Sequence, residues 1–444
     1  MKLWQKDYSI FEHIERFTVG KDREVDLHLA PHDVIGSMAH AKMLASIGLM
    51  ETPELDLLLK ELRTIYQNIV EGNFSIAAGM EDVHSQIEWM LTQKLGDIGK
   101  KIHSGRSRND QVLVDLRLFF RDELKNIADL VLELAEKLLE KSEQHKNTLM
   151  PGYTHMQVAM VSSFGLWFGA YAESLADDLH LLESTYQIVN QNPLGSAAGY
   201  GSSFPLNRTL TTQLLGFNDL NYNVIHAQMG RGKTELFISF VLAAIAHTVG
   251  KFAMDVVLYC SQNYGFIYLP KELTTGSSIM PHKKNPDVFE LIRGYCNKIQ
   301  ALPQEISMMT SGLPAGYHRD FQLLKEAVFP AIHSLKDALS ILIFSVEHIE
   351  VKENLLNHPQ YTYLYTVEAV NELVMQGVPF REAYQQVGKA VEDGTYAYKG
   401  NIQHTHEGSI GNLCTVQIHQ KLKQHYANIK YHQVEQAIQA LLYH

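Results

Sequence analysis

The sequence predicts an all-α protein: a long central helix bundle flanked by two small, mainly helical lobes. Three observations carry that expectation. Residues 110–150 contain no Gly and no Pro, and Leu113, Leu116, Phe120, Leu124, Ile127, Val131, Leu134 and Leu138 recur at spacings of three and four, the signature of one amphipathic helix. Four further stretches, 158–189, 234–264, 287–310 and 325–349, each run more than twenty residues with helical patterning. Strand signals are scarce, limited to short β-rich pieces such as Gly265-Phe-Ile-Tyr-Leu269. In chain order, residues 1–105 carry shorter helical segments (33–47 and 53–71) and form a first lobe. Residues 106–356 hold the long helices, the first reaching about 50–60 Å at 1.5 Å per residue, so its partners must be comparably long. Residues 357–444 return to short helices (366–376 and 381–390) with polar, Gly-containing joints, a third lobe. The run Phe237-Ile-Ser-Phe-Val-Leu-Ala-Ala-Ile-Ala246 is apolar on more than one side, which predicts burial in an oligomer.

With 444 residues, 45% of them hydrophobic and 20% charged, the chain is neither disordered nor a disulfide mini-protein. The 38 basic and 49 acidic side chains leave a net charge of −11, so the surface as a whole repels nucleic acid and anionic membrane, and neither is expected as a partner. Cys260, Cys296 and Cys414 are too few and too scattered for a disulfide framework, which points to a reducing compartment. The start, MKLWQKDYSIFEHIERF, has no signal-peptide pattern, so a cytoplasmic location is expected. The apolar stretch 236–260 is interrupted by His247, Lys251 and Asp255 and reads as a core helix rather than a membrane span.

Four clusters carry candidate chemistry. Residues 274–287, Thr274-Thr-Gly-Ser-Ser-Ile-Met-Pro-His-Lys-Lys-Asn-Pro-Asp287, combine Ser277 and Ser278 with Lys283 or Lys284 and the amide of Asn285, the parts of an oxyanion or carboxylate site. Lys101-Ile-His-Ser-Gly-Arg-Ser-Arg-Asn-Asp-Gln111 precedes the longest helix, where Asn109 or Asp110 would cap and the donors would face an anion. Pro151-Gly-Tyr-Thr-His-Met-Gln157 follows that helix at its far end, and Gly312-Leu-Pro-Ala-Gly-Tyr-His-Arg-Asp-Phe-Gln-Leu-Leu-Lys325 is a donor-rich loop. Taken singly, each also suits an ordinary loop or a well-capped helix. Gly230-Arg-Gly-Lys-Thr234 imitates the end of a P-loop, but the required first Gly is Ala227 and no strand precedes it. No HExxH, EF-hand or spaced His/Cys set appears, so no metal is expected.

Together the clusters resemble the fumarase/aspartase superfamily, whose signature GSSxMPxKxNP is matched by Gly276-Ser-Ser-Ile-Met-Pro-His-Lys-Lys-Asn-Pro286. Within it, His103-Ser-Gly-Arg-Ser-Arg-Asn-Asp-Gln111 and Pro151-Gly-Tyr-Thr-His-Met-Gln157 look like the substrate segments of the argininosuccinate lyase branch. Glu81-Asp-Val-His84, Asn192-Pro-Leu-Gly-Ser196 and Gly377-Val-Pro-Phe-Arg-Glu382 extend the likeness over nearly the whole chain. The resemblance implies a homotetramer with each active site assembled from three subunits, no cofactor, and reversible elimination of argininosuccinate to arginine and fumarate.

It further implies Ser277 as the base at the carbon, with Lys283 and Asn285 holding the doubly charged aci-carboxylate. His155, oriented by Glu290, is the family's candidate to protonate the leaving nitrogen. Ser107, Arg108, Asn109 and Thr154 would hold substrate carboxylates, and Tyr317, Gln322 and Lys325 keep the family's spacing for further contacts. A sister lyase on another succinyl-amine, or a structural, crystallin-like protein on the same fold, are the alternatives. Two departures stand out: Leu3-Trp-Gln-Lys-Asp-Tyr8 replaces the family's LWGGRF, and Asn223-Val-Ile-His-Ala-Gln-Met-Gly-Arg-Gly232 keeps Arg231 without acidic residues flanking it.

Overall fold

The computed structural model describes residues 12–77, 79–398 and 402–443; the stretch 3–8 lies outside them. The chain is helical almost throughout. The N-terminal part runs through α1 (Glu12–Val19), α2 (Asp22–Val25), α3 (Ala30–Ser46), α4 (Thr52–Val70), α5 (Val83–Leu95) and α6 (Asp97–Lys100). α7 (Arg108–Gln144) is the longest element, 37 residues or about 55 Å. Its start is two or three residues earlier than the capping expectation required: Ser107, not Asn109 or Asp110, is the N-cap, and Asp110 accepts the Ser107 amide at 2.8 Å to close a capping box. It also ends earlier, at Gln144, because residues 149–154 pair as a strand.

That strand, β1 (Leu149–Thr154), forms an antiparallel hairpin with β2 (Gln157–Ser163). The helix expected over 158–189 therefore begins only at α8 (Phe164–Val189), where Ser163 caps the amide of Leu166 at 3.0 Å. The physical reason is the turn: His155 and Met156 both adopt left-handed backbone (φ 52° and 60°), which reverses the chain, and the β-branched Val158 and Val161 extend it.

After β3 (Gln191–Asn192), α9 (Arg208–Leu214) and β4 (Asp219–Leu220) comes α10 (Val224–Tyr259), longer than the predicted 234–264 segment and broken at Arg231 and Gly232. Gly232 sits at φ 78°, and a Cβ there would lie 2.5 Å from Thr310 Cγ2, so the break requires glycine. Glu235 accepts the Gly232 amide at 2.7 Å and Arg231 Nε at 3.0 Å. The acidic partner that the neighbouring sequence positions lack is thus supplied one turn further on.

β5 (Ile267–Tyr268), β6 (Thr275–Gly276) and β7 (Lys284–Asn285) lead into α11 (Asp287–Ile299) and α12 (Leu302–Thr310). The predicted single helix 287–310 is divided because Pro303, in the first turn of α12, cannot donate to a preceding turn. α13 (Gln322–Glu347) and β8 (Glu350–Val351) complete the central region, and β8 pairs with β5, bearing out the short strand read at 265–269. α14 (Thr366–Met375), α15 (Phe380–Glu392), α16 (Thr415–Asn428) and α17 (Tyr431–Tyr443) follow.

The main core joins α7, α8, α10, α11 and α13, with Phe120, Phe168, Ile245, Phe289 and Leu339 almost fully covered. α16 packs onto this core through Ile418 and Leu422. A second core gathers α3, α4 and α5, and it includes Leu441 and Leu442 of α17; Arg63 Nε also donates to the Leu442 carbonyl at 2.6 Å. α14 and α15 share a small third cluster around Val370, Ala383 and Val387. The helix 224–259 and the stretch 319–347 are long and apolar enough to cross a membrane, but both pack into the bundle. Large apolar side chains nevertheless stay exposed along the bundle, among them Phe240 (47%), Leu291 (62%) and Phe344 (50%).

Candidate active site

The candidate residues gather at two opposite ends of α7. At its N-terminal end lie Ser107, Arg108 and Asn109. Asp110, buried behind them, accepts the amides of Gly195 (3.0 Å) and Ala197 (2.9 Å), which ties the Asn192–Ser196 segment to the start of α7. Burial raises its pKa to about 6, against the pull of those amides. Arg108 reaches back to the start of α5, donating to Glu81 at 3.0 Å and Ser85 Oγ at 2.6 Å and pairing with Asp82 at 3.2 Å.

Glu81 also accepts from Arg319 at 2.9 Å, so one carboxylate joins the 103–111 segment to the 312–325 segment. Gln322 donates to the carbonyls of Thr18 (3.2 Å) and Val19 (2.9 Å). Lys325 is buried between Asp22, at 2.8 Å, and Asp26. Burial works to lower its pKa, but the two carboxylates hold it above the usual lysine range. Burial lifts Asp22 to about 6, with Lys325 opposing. Tyr317 stands edge-on to Phe321, ring centroids 6.1 Å apart, and is partly exposed.

Beneath this end sits a buried network that sequence reasoning missed. Asp33 on α3 pairs with His84 and accepts from Gln111 Nε2 at 2.8 Å; Asp115 of α7 lies 3.4 Å from the same His84 nitrogen. Burial works to raise Asp33 and to lower His84, but each overrides it for the other, so Asp33 is lowered and His84 raised; burial, then the charge of Asp33, pushes Asp115 well above its ordinary value. His84 and Gln111 close two of the family-like segments, but for Asp33 and Asp115 the signal was only a polar residue beside apolar ones, Asp33 before Val34 and Asp115 between Val114 and Leu116.

The remaining candidates lie at the other end. Thr154 and His155 occupy the exposed tip of the β1–β2 hairpin. Tyr153 packs against Tyr264 and Phe266, with centroids 5.5 and 6.2 Å away, and Lys141 near the end of α7 donates to the Ile349 carbonyl at 3.2 Å beside the β5–β8 pair. The chain leading into the 274–287 loop therefore starts at the hairpin's end of the bundle. β6 and β7 close that loop, pairing Thr275 with Asn285. Inside it, Ser277 Oγ accepts the amides of Ile279 (3.3 Å) and Met280 (3.1 Å). Lys283 is exposed, Asn285 is half-buried with Nδ2 3.5 Å from Thr275 Oγ1, and Glu290 faces Arg293 at 3.9 Å on α11. Among the described residues, no hydrogen bond or ion pair links His155 to Glu290, or either to Ser277.

A family profile described as lyase matches residues 13–301. An argininosuccinate lyase of Bacteroides thetaiotaomicron is 57% identical over 441 residues, 99% of this chain and 99% of its own. The chain belongs to the argininosuccinate lyase family. Other argininosuccinate lyases extend the range: that of Phocaeicola vulgatus is 56% identical over 99% of both chains, and that of Thermotoga neapolitana 42% over 87% of this chain and 98% of its own. Solved structures show the same fold for this lyase at low identity. A variant of EDDS lyase with bound fumarate superposes with a TM-score of 0.76, at 22% identity over 98% of this chain and 97% of that one. A class II fumarase from Schistosoma mansoni gives 0.67, at 17% identity over 86% and 91%.

Proposed function

We propose that the chain catalyses the reversible elimination of argininosuccinate to L-arginine and fumarate, in arginine biosynthesis, with no cofactor. Ser277 takes the proton from the carbon beside a substrate carboxylate, the electron pair forms the new double bond, and the carbon–nitrogen bond breaks. His155, oriented by Glu290, returns a proton to the leaving guanidinium nitrogen. Lys283 and Asn285 hold the doubly charged intermediate. Ser107, Arg108, Asn109 and Thr154 bind the substrate's carboxylates, with Tyr317, Gln322 and Lys325 around them.

The observation that best supports Ser277 as base is its position as acceptor of two backbone amides. Hydrogen bonds to the charged form lower a pKa, so the Ile279 and Met280 amides favour the alkoxide that a serine in water does not supply.

Because the two ends of α7 are about 55 Å apart, one chain cannot close a site that uses both. A homotetramer with shared sites answers this, and the exposed Phe240, Leu291 and Phe344 suit its interface. In this reading the chain has three parts, 1–105, 106–356 and 357–444, with the middle one forming the tetramer core. The three free cysteines fit a cytoplasmic enzyme. Argininosuccinate supplied to the purified protein should yield equal amounts of fumarate and arginine, and Ser277→Ala should abolish both with the fold intact. Turnover of adenylosuccinate or aspartate, with argininosuccinate untouched, would refute the assignment.

A further inference from the structure

Away from this site, α8 and α16 bring together three side chains with metal-ligand chemistry. His180 and Glu183 stand one turn apart on α8, and His425 meets them from α16. His425 Nδ1 lies 2.7 Å from Glu183 Oε2 and 3.1 Å from His180 Nδ1, which is 3.6 Å from the same oxygen. The other Glu183 oxygen accepts from Asn428 Nδ2 at 2.9 Å, which fixes the carboxylate from behind.

Protons alone serve this triangle poorly. If His425 Nδ1 carries the hydrogen and gives it to Glu183, the lone pair of His180 Nδ1, 3.1 Å from His425 Nδ1, has no proton within the triangle and is left to solvent. If His180 carries it and gives it to His425, the lone pair of His425 faces a carboxylate oxygen at 2.7 Å. If both carry one, two N–H groups oppose each other at 3.1 Å. A central cation turns all three lone pairs to use.

The space also fits. A triangle with sides of 2.7, 3.1 and 3.6 Å has a circumscribed radius of about 1.85 Å, so an ion roughly 2.0–2.1 Å from each atom, the distance zinc takes to nitrogen and oxygen, rests about 0.9 Å off their plane. Two imidazoles and one carboxylate select a borderline dication over calcium or magnesium, which prefer all-oxygen sites. His180 is 63% exposed, leaving the outer coordination position to water. We propose that His180, Glu183 and His425 bind a transition-metal dication of the Zn2+ type that clasps α16 to the bundle. Sequence spacing hid the set because its two histidines are 245 positions apart.

The test uses the chelator-treated full-length protein, Zn2+ competition against a chromophoric chelator, and thermal unfolding. One equivalent should bind per chain and raise Tm. His180→Asn, at an exposed position that leaves packing intact, and His425→Asn should each weaken binding by more than the roughly 10–100-fold that losing an outer-shell partner costs, and should cancel the Tm rise while fumarate release stays unchanged. Failure to bind an equivalent, or undiminished binding by the double variant, overturns the proposal. Loss of the equivalent on His84→Asn with retention on His180→Asn also overturns it, by assigning the metal to the buried Asp33–His84–Asp115 group.

Discussion

The separation of the two residue clusters predicts a specific result when two inactive variants are mixed. Asn109 stands at the N-terminal end of α7 and His155 in the hairpin beyond its C-terminal end, about 55 Å apart along the helix. No hinge within one chain closes that gap, so an active site using both must draw them from different chains. In the shared-site tetramer proposed above, Asn109→Ala and His155→Asn are each expected to be inactive on their own. In tetramers assembled randomly from equal amounts of both, a site is intact when one contributor carries Asn109 and the other His155. Each choice is correct half the time, so the mixture should regain roughly a quarter of the wild-type rate. Fumarate absorbance reads the rate, and native mass spectrometry verifies that mixed tetramers formed. A verified mixture no more active than its parents would place both residues in one chain's site and refute the shared-site reasoning.

Two further perturbations follow from buried charge. Asp178 on α8 is raised to about 6 by burial, with Thr248 donating to it at 2.7 Å. Its folded pKa lies above the unfolded value, so the native state holds the proton more tightly, and that advantage is present at low pH and lost as pH rises through about 6. Asp178→Asn, which can still accept from Thr248, should raise Tm at pH 8 by the equivalent of at most about 3 kcal/mol and have little effect at pH 4. Lys325→Met leaves Asp22 and Asp26 buried without their cation, and should cost on the order of 3–5 kcal/mol as well as activity. A wild-type melting curve with activity alone lost would show instead that the ion pair is dispensable for the fold.

The sequence made the helical architecture legible because long Gly- and Pro-free apolar periodicity has few other solutions, and the start of α3 and the extent of α13 followed closely. What it hid was non-local. The 158–163 strand depends on pairing with 149–154 and on two left-handed residues, neither visible in a helical wheel. Pro303 falls inside the predicted 287–310 helix but sits where α12 begins. The candidate segments were legible as motifs, whereas the carboxylates packed against them stand in no motif: Asp22 lies in the charged run Lys21-Asp-Arg-Glu24, Asp26 between Val25 and Leu27, and Asp33 between His32 and Val34. The bridge from Arg108 through Glu81 to Arg319 spans 238 positions on one side, beyond any local pattern.

α17 has a consequence for how the chain is made. Leu441 and Leu442 belong to the core that α3, α4 and α5 build from residues 30–118, and that core also draws on Leu215 and Phe217. The helices at the front of the chain leave the ribosome about 320 residues before the side chains that finish covering them. At 5–20 residues per second, that is a wait of roughly 15–65 s. During this interval the nascent front carries an apolar face that α17 has yet to finish covering, so it stays open to chaperones, and to its neighbours on the same message, until α17 has emerged.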